Sequence, residues 1–474
     1  MSSSSSEESN QQSAARELVE LPQGHRAITL KWVYKLKRDE SGNIVKHKAR
    51  LVARGFVQQA NIDYDEVFAL VARMESVRLL LALAAQGGLS IHHMDVKSAF
   101  LNGNLKEEVY VRQPQGFVVA GKEGHVLRLR KALYGRKQAP RAWNSKLDVT
   151  LKKMGFTQSE HEHAMYQRDG GGSVLLVGVY VDDLIIIGSK PAAVEEFKAE
   201  MKGEFLMSDL GMLSFYLGIE VCQGNGAITL RQTRYAKQIL KSGGTTMEER
   251  LKLSKDSTAE QVDSTRYRRI VGSLRYLVHT RLDLAIAVGF ISRFMERPTE
   301  EHFQAVKKLL RYVAGMLNYG LRYEQRPNCT DHRITAATSS TTGRARAARN
   351  CLISWQSIKQ KVVALSSCEY EYIAATTAAT QAIWMARLLG ELLGREPEAV
   401  ELKVDSKSAL ALSKNPVFHK RSKHIHIRYH FTRNCLDDGS IKASNVTIEN
   451  QLADILTKAL GRVRFQELCA RIGM

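Results

Sequence analysis

The sequence predicts an α+β fold in several domains, and three observations carry that prediction. Residues 174–187 read Val-Leu-Leu-Val-Gly-Val-Tyr-Val-Asp-Asp-Leu-Ile-Ile-Ile. Two apolar, β-branched runs of strand length meet at an acid pair, the pattern of a buried hairpin. Upstream of it strand-like and helix-like periodicities interleave, whereas from about Leu251 the texture turns helical. The chain has 474 residues, too many for one hydrophobic core and suited to two or three domains.

Taken in order, residues 1–17 are rich in Ser, Glu, Gln and Asn and are expected to be disordered, having too little apolar surface to offset the entropy of ordering. Lys31-Trp32-Val33-Tyr34-Lys35-Leu36-Lys37-Arg38 alternates apolar and basic residues, the period of a half-exposed strand. Asp39-Glu40-Ser41-Gly42-Asn43 reads as a turn, and the chain returns as a second strand from Ile44. Ser76 to Ala85 and Val194 to Met201 have helical periodicity and are expected to pack on a sheet. Thr299 is placed to cap a helix whose first turn carries Glu300 and Glu301, favourable beside the positive helix end. Phe303, Val306, Leu309, Leu310 and Val313 then make one apolar stripe, which is a core face.

The net charge of +20 favours a polyanionic partner. Apolar runs stop after about eight residues, against the roughly 18 needed to cross a bilayer, so nucleic acid is the better partner than a membrane. The Met-Ser-Ser-Ser-Ser-Ser-Glu-Glu start lacks the basic and apolar regions of a signal peptide, and an intracellular place, cytoplasm or nucleus, is expected. Cys222, Cys329, Cys351, Cys368, Cys435 and Cys469 are scattered without paired spacing, which points to a reducing compartment and away from a zinc knuckle. His424, His426 and His430 cluster, but no carboxylate or Cys nearby completes a metal set.

The chemistry lies in the acids. Asp182 and Asp183, adjacent between apolar strands, repel one another and lose hydration, and a shifted pKa or a bound cation relieves both. A divalent metal neutralises the pair at once, and two-metal sites clamp the attacking and leaving oxygens of a phosphodiester. A solvated Asp-Asp turn is the common alternative. Asp95 follows a strand-like segment upstream, where an Asp is more often a helix cap. One acid at a strand end and two on a hairpin is nevertheless an arrangement able to hold two Mg²⁺, or Mn²⁺, ions.

The neighbours of these acids carry a resemblance. Lys-Ala-Arg-Leu-Val-Ala-Arg-Gly-Phe (48–56), Met-Asp-Val-Lys-Ser-Ala-Phe-Leu-Asn-Gly (94–103), Ala-Leu-Tyr-Gly-Arg-Lys-Gln-Ala-Pro-Arg-Ala-Trp (132–143), Tyr-Val-Asp-Asp (180–183) and Tyr-Leu-Gly-Ile-Glu-Val (216–221) occur in that order. Together they resemble the reverse transcriptase of plant copia-type LTR retrotransposons, from about Leu18 to the C-terminus. The resemblance implies a polymerase with fingers and palm over 18–245, a helical thumb or connection over 246–325, and a ribonuclease-H-like α/β domain over 326–474. It implies an RNA template, a DNA or RNA primer and deoxynucleoside triphosphates as partners. Asp95, Asp182 and Asp183 become the palm carboxylates, with Asp95 and Asp182 as direct metal ligands, the Val96 carbonyl as an added one and Asp183 in a supporting place. Phe100 falls where such polymerases set an aromatic ring beneath the sugar; ordinary core packing is its alternative.

Lys48, Arg50 and Arg54 alternate along a strand and present a row of cations suited to a triphosphate, or to plain solvent. Gln138 is the candidate to position template or nucleotide, and Gly135 permits close backbone approach. Arg136 stands where the family usually has an apolar residue; if buried without a partner it would cost several kcal/mol.

Three acids of the last domain can be matched as well: Glu371 (ambiguous with Glu369), Asp405 and Asp454. The acid expected on the domain's first strand is missing, and Asp331 is too close to Gly343 to replace it. The next strand reads Arg344-Ala-Arg-Ala-Ala-Arg-Asn350, without the alternation or β-branched content of a core strand, so a damaged first hairpin and an inactive domain are expected. No capsid-, protease- or integrase-like segment stands before the polymerase motifs, so the residues given are not expected to mobilise an element alone. Three functions stay open: an RNA-directed DNA polymerase, a non-catalytic nucleic-acid-binding remnant, and a metal nuclease acting through the last domain.

Overall fold

The computed structural model describes residues 16–38, 43–59, 63–170, 174–243, 254, 259–325, 334–339, 343–348, 351–357, 360, 362–414, 430–458 and 460–474. Two compact units emerge: one from residues up to 72, 93–159 and 163–211, the other from 73–92, 160–162 and 212 onward. Residues 1–15, Asp331, His424 and His426 lie outside the described residues.

The first unit is built on a six-stranded sheet in the order Met207–Met212, Ile91–Val96, Asp183–Gly188, Val174–Tyr180, Met165–Asp169, Thr157–Gln158. The apolar hairpin sits at its centre, and both of its faces are covered, which is why its strands read as continuous apolar runs. Trp143, Leu147 and Leu151 of the helix Ala139–Lys153 and Val194, Phe197 and Met201 of the helix Pro191–Glu204 pack on Val177, Val179, Leu184 and Ile186. Each such side chain contributes about 1.5–3 kcal/mol by leaving water. The expected basic hairpin forms as Leu30–Arg38 paired with Ile44–Ala53. A three-stranded sheet completes the unit, with Arg16–Val19 beside Val126–Lys131 and then Asn104–Arg112. Arg16 and Glu17, counted above with a disordered start, are therefore strand residues, because Leu18 and Val19 give that edge an apolar pair to lay against Leu127 and Val126.

In the second unit the helices Thr233–Gly243, Ser264–Leu277, Ala285–Ile291 and Glu300–Gly315 enclose a helical core. The stripe of Phe303, Val306, Leu309, Leu310 and Val313 is buried there, and Thr299 caps the last of these helices in a reciprocal box with His302. Four strands, Phe215–Tyr216, Ile219–Gly224, Ala227–Arg231 and Gly320–Glu324, form an antiparallel sheet. A five-stranded mixed sheet runs Cys351–Ser357, Gly343–Ala348, Ile334–Ser339, Val400–Val404, Ile441–Asn445. The first three strands are antiparallel and the last two join in parallel. The long helix Ser367–Leu392 packs on this sheet.

One expectation is corrected here. Gly343–Ala348, judged too irregular for a strand, pairs on both edges, with its register broken only between Arg346 and Ala347. A ladder is made by backbone groups, so a segment between two partners is held as a strand whatever its side-chain period. The buried Leu352, Ile353 and Trp355 of the neighbouring strand supply apolar anchorage.

Candidate polymerase active site

The turn of the central hairpin is a two-residue one. Asp183 pairs with Tyr180, so Val181 and Asp182 alone make the reversal. Tight hairpin turns need a left-handed residue, and Val181 has φ +59°, a conformation that costs a β-branched residue on the order of 1–3 kcal/mol. Two hydrogen bonds hold it there. The buried Trp143 indole donates to the Val181 carbonyl at 2.6 Å, and the Val96 N–H donates to the Asp182 carbonyl at 2.9 Å. The second of these bonds also brings the Asp95 strand against the turn.

Each acid has a distinct environment. Asp183 accepts from or shares a proton with His93 Nε2 at 2.8 Å, on a buried ring. His93 and Asp95 are two apart on one strand and so share a face. Burial pushes the Asp182 carboxyl above its usual range, the charges of Asp183 and Asp95 push it further, and Arg50 opposes them. Asp95 and Asp183 raise the proton affinity of Asp182, and all three are hard oxygen donors, so a divalent cation would relieve the group. Among the described residues no group of three or more His, Cys, Asp or Glu side chains is arranged to hold a metal ion.

Of the cationic row, Arg50 is the residue brought to these acids. Its guanidinium lies 4.9 Å over the Tyr134 ring. Lys48 shares its strand face, opposite Lys35. Arg54 does not belong to the row: the strand ends at Ala53, and Arg54 precedes the short helical turn Gly55–Val57 with its side chain exposed. Phe100 is half-buried, packs on the main core and meets the Tyr134 ring at 5.2 Å.

Gly135 has φ +85°, and a Cβ there would come within 2.2 Å of the Ala53 carbonyl oxygen, so the close backbone approach is real and is made to the basic hairpin. Gln138 is held by other protein groups. Its amide donates to the Asp63 carbonyl and accepts from Gln58 Nε2, both at 3.0 Å, in a buried setting that fastens two loops together. Arg136 is 3 % exposed, and none of its three guanidinium nitrogens has a hydrogen-bond partner. Burial lowers it to about 10 against the opposing charges of Asp63 and Glu107, so it is carried inside as a cation at neutral pH.

His93, Trp143 and Tyr134 were not singled out from sequence. The strand period gave a signal for His93; the other two owe their place to tertiary packing.

The second acid group, in the other unit, is also brought together. Burial first, then Asp405 and Asp454, pushes Glu371 up to about 8, with Lys458 opposing. Lys458 bonds Asp454 at 2.9 Å. The ambiguity with Glu369 is resolved: Glu369 accepts the Leu365 N–H at 2.8 Å at the start of its own helix, and Glu371 is the one that senses Asp405 and Asp454. Neither carboxylate oxygen of the buried Glu371 has a hydrogen-bond partner. The strand beside Val400–Val404 reads Ile-Thr-Ala-Ala-Thr-Ser and offers no acid to the group. His430 Nδ1 and the Tyr372 hydroxyl share a hydrogen bond at 3.0 Å.

Among the described residues no helix is long and apolar enough to cross a membrane, and Cys222, Cys351, Cys368, Cys435 and Cys469 are free thiols.

Known proteins bear on this geometry. The family described as "Reverse transcriptase (RNA-dependent DNA polymerase)" matches residues 14–252. The retrovirus-related Pol polyprotein from transposon TNT 1-94 of Nicotiana tabacum is 40% identical over 98% of this chain and 37% of its own length. That from transposon RE1 of Arabidopsis thaliana is 38% identical over 97% of this chain and 32% of its own. The chain thus spans about a third of these relatives. A solved foamy viral protease–reverse transcriptase in complex with double-stranded DNA superposes with a TM-score of 0.50 at 13% identity, covering 92% of this chain and 67% of that one, a likeness of fold. The chain belongs to the reverse transcriptase family, in the branch of copia-type retrotransposon Pol polyproteins.

Proposed function

We propose that this chain is an RNA-directed DNA polymerase that extends a DNA or RNA primer on an RNA template by two-metal nucleotidyl transfer. The observation that carries the reading is the convergence of Asp95 with the Asp182–Asp183 turn, tied by the Val96–Asp182 hydrogen bond and faced by Arg50. Asp95 and Asp182 would hold the ions, and His93 keeps Asp183 oriented beside them. Held by those acids, two Mg²⁺ ions, or Mn²⁺, would supply the charge that makes the primer 3′-hydroxyl more acidic and offsets the charge of the departing pyrophosphate. Arg50 receives the triphosphate of the incoming deoxynucleotide, and Phe100 lies beneath its sugar, where a 2′-hydroxyl would clash. The excess of positive charge draws the nucleic acid.

The mixed five-stranded sheet with its long helix and acid group supports a ribonuclease-H-like reading of the last part of the chain, with its activity lost for want of the first-strand acid. A second reading, a non-catalytic nucleic-acid-binding remnant, is favoured by one observation, the buried unpartnered Arg136.

The test is primer extension on an RNA template with Mg²⁺ or Mn²⁺. Asp182→Asn keeps the shape of the side chain and removes charge, and is expected to lower extension by on the order of 10³-fold or more with template binding retained. Equal extension by parent and variant would refute the two-metal assignment, and binding without any extension by the parent would favour the remnant.

A further inference from the structure

We propose that Tyr134 is a positioning residue that couples triphosphate capture to sugar selection by bracing Arg50 and Phe100 against one ring. This rests on the polymerase reading above.

The chain around Tyr134 is pinned from both sides. Its carbonyl accepts the Ala53 N–H at 2.8 Å, which fixes it to the end of the strand that carries Arg50. The next residue, Gly135, is left-handed and lies so close to that same strand that a Cβ would clash with Ala53 and Val52. From this anchorage the Tyr134 ring holds the Arg50 guanidinium 4.9 Å from its centroid, a cation–π distance. The ring also meets Phe100 at 5.2 Å and 54°, a tilted aromatic pair.

The hydroxyl makes the third tie. Ser98 acts on it as a side-chain neighbour that lowers its pKa, and Ser98 is itself left-handed, φ 54°, at the start of the short helical turn Ala99–Asn102 that contains Phe100. The Ser98 carbonyl accepts the Leu101 N–H at 2.8 Å and closes that turn. Burial raises the Tyr134 hydroxyl above its ordinary value, Arg50 opposes, and Asp182 and Asp95 add to the rise. One side chain therefore senses the metal-binding acids, the cation that meets the triphosphate and the ring that meets the sugar.

Loss of the ring frees Arg50 and Phe100 together, so nucleotide affinity and discrimination against ribonucleotides must fall together. Loss of the hydroxyl alone leaves both ring contacts.

The experiment compares the parent with Tyr134→Leu and Tyr134→Phe, all checked for equal melting temperature. Affinity for dTTP and UTP is read by fluorescence on a labelled, dideoxy-terminated primer annealed to RNA, which needs no turnover, and KM and kcat are read on an extendable primer. Tyr134→Leu is expected to weaken dTTP binding about five- to tenfold, raise KM more than it lowers kcat, and shrink the preference for dTTP over UTP. Tyr134→Phe is expected to restore affinity and most of the preference. A Tyr134→Leu protein that keeps both, or that loses one without the other, overturns the coupling. A fall in melting temperature for Tyr134→Leu that Tyr134→Phe does not rescue in binding also overturns it, as the role would then be structural. A parent that binds nucleotide with the stated preference but does not extend would remove the polymerase reading and leave the coupling standing.

Discussion

Each unit of the molecule gathers three acids, and among the described residues each carries a buried ionisable side chain, Arg136 or Glu371, with no hydrogen-bond partner, but only in the second unit is that orphan a member of the acid group. In the first unit the acids are individually supported: Asp183 by His93, the Asp182 turn by Trp143 and Val96, with Arg50 as a facing cation. Its orphan is Arg136, on the segment before the helix Ala139–Lys153. In the second unit Glu371 is the orphan, raised to about 8, and the strand beside Val400–Val404 brings no further acid. In the first unit the unpartnered side chain lies outside the acid group; in the second it belongs to it.

The largest expected stability effect tests the orphan of the first unit. Arg136→Leu replaces a buried cation that none of its neighbours bonds with an apolar side chain. It should stabilise the protein by several kcal/mol, read as a higher denaturant midpoint at unchanged slope. An unchanged or lower midpoint would mean that the guanidinium is compensated, and the contrast between the units would weaken.

A smaller effect tests the orphan of the second. Glu371 keeps its proton in the folded state up to about pH 8, whereas an unfolded glutamate loses it near 4.5. Between those values the unfolded state binds fewer protons, so this group removes stability as pH rises. At one pKa unit per about 1.4 kcal/mol, the loss by pH 8 is on the order of 3 kcal/mol after allowance for relaxation. Glu371→Gln should therefore gain little at pH 4.5 and most above pH 8, measured as the difference in melting temperature from the parent in EDTA. A difference that does not vary with pH would show that Glu371 is not held protonated.

Much of the first site was legible in the sequence because its signals are local. The hairpin of 174–187, its acid pair, the basic hairpin and the Thr299 cap are each set by residues adjacent along the chain. What was not legible depends on tertiary packing. Glu369 and Glu371 are two apart on a helix and face different ways, and only the position of the sheet decides which meets Asp405. That Gln58 and Asp63 take up the Gln138 amide could not be read from the sequence either. Arg54 follows the alternation of Lys48 and Arg50 on paper, but the strand has already ended. Gly343–Ala348 defeated a pattern-based reading because its partners, not its side chains, make it a strand.

The contrast between the two acid sites is tested most directly in one preparation. Protein shown to extend a primer on RNA is incubated with an RNA–DNA hybrid under the same Mg²⁺ conditions, and RNA cleavage is followed. Without a first-strand carboxylate, Glu371, Asp405 and Asp454 would hold two Mg²⁺ ions with one negative ligand too few, and Mg²⁺ tolerates incomplete octahedral shells poorly. The expected result is extension without cleavage. Cleavage that disappears in Asp405→Asn would contradict it, and would mean that the second acid group is complete, with Asp331 the residue to examine as its fourth member.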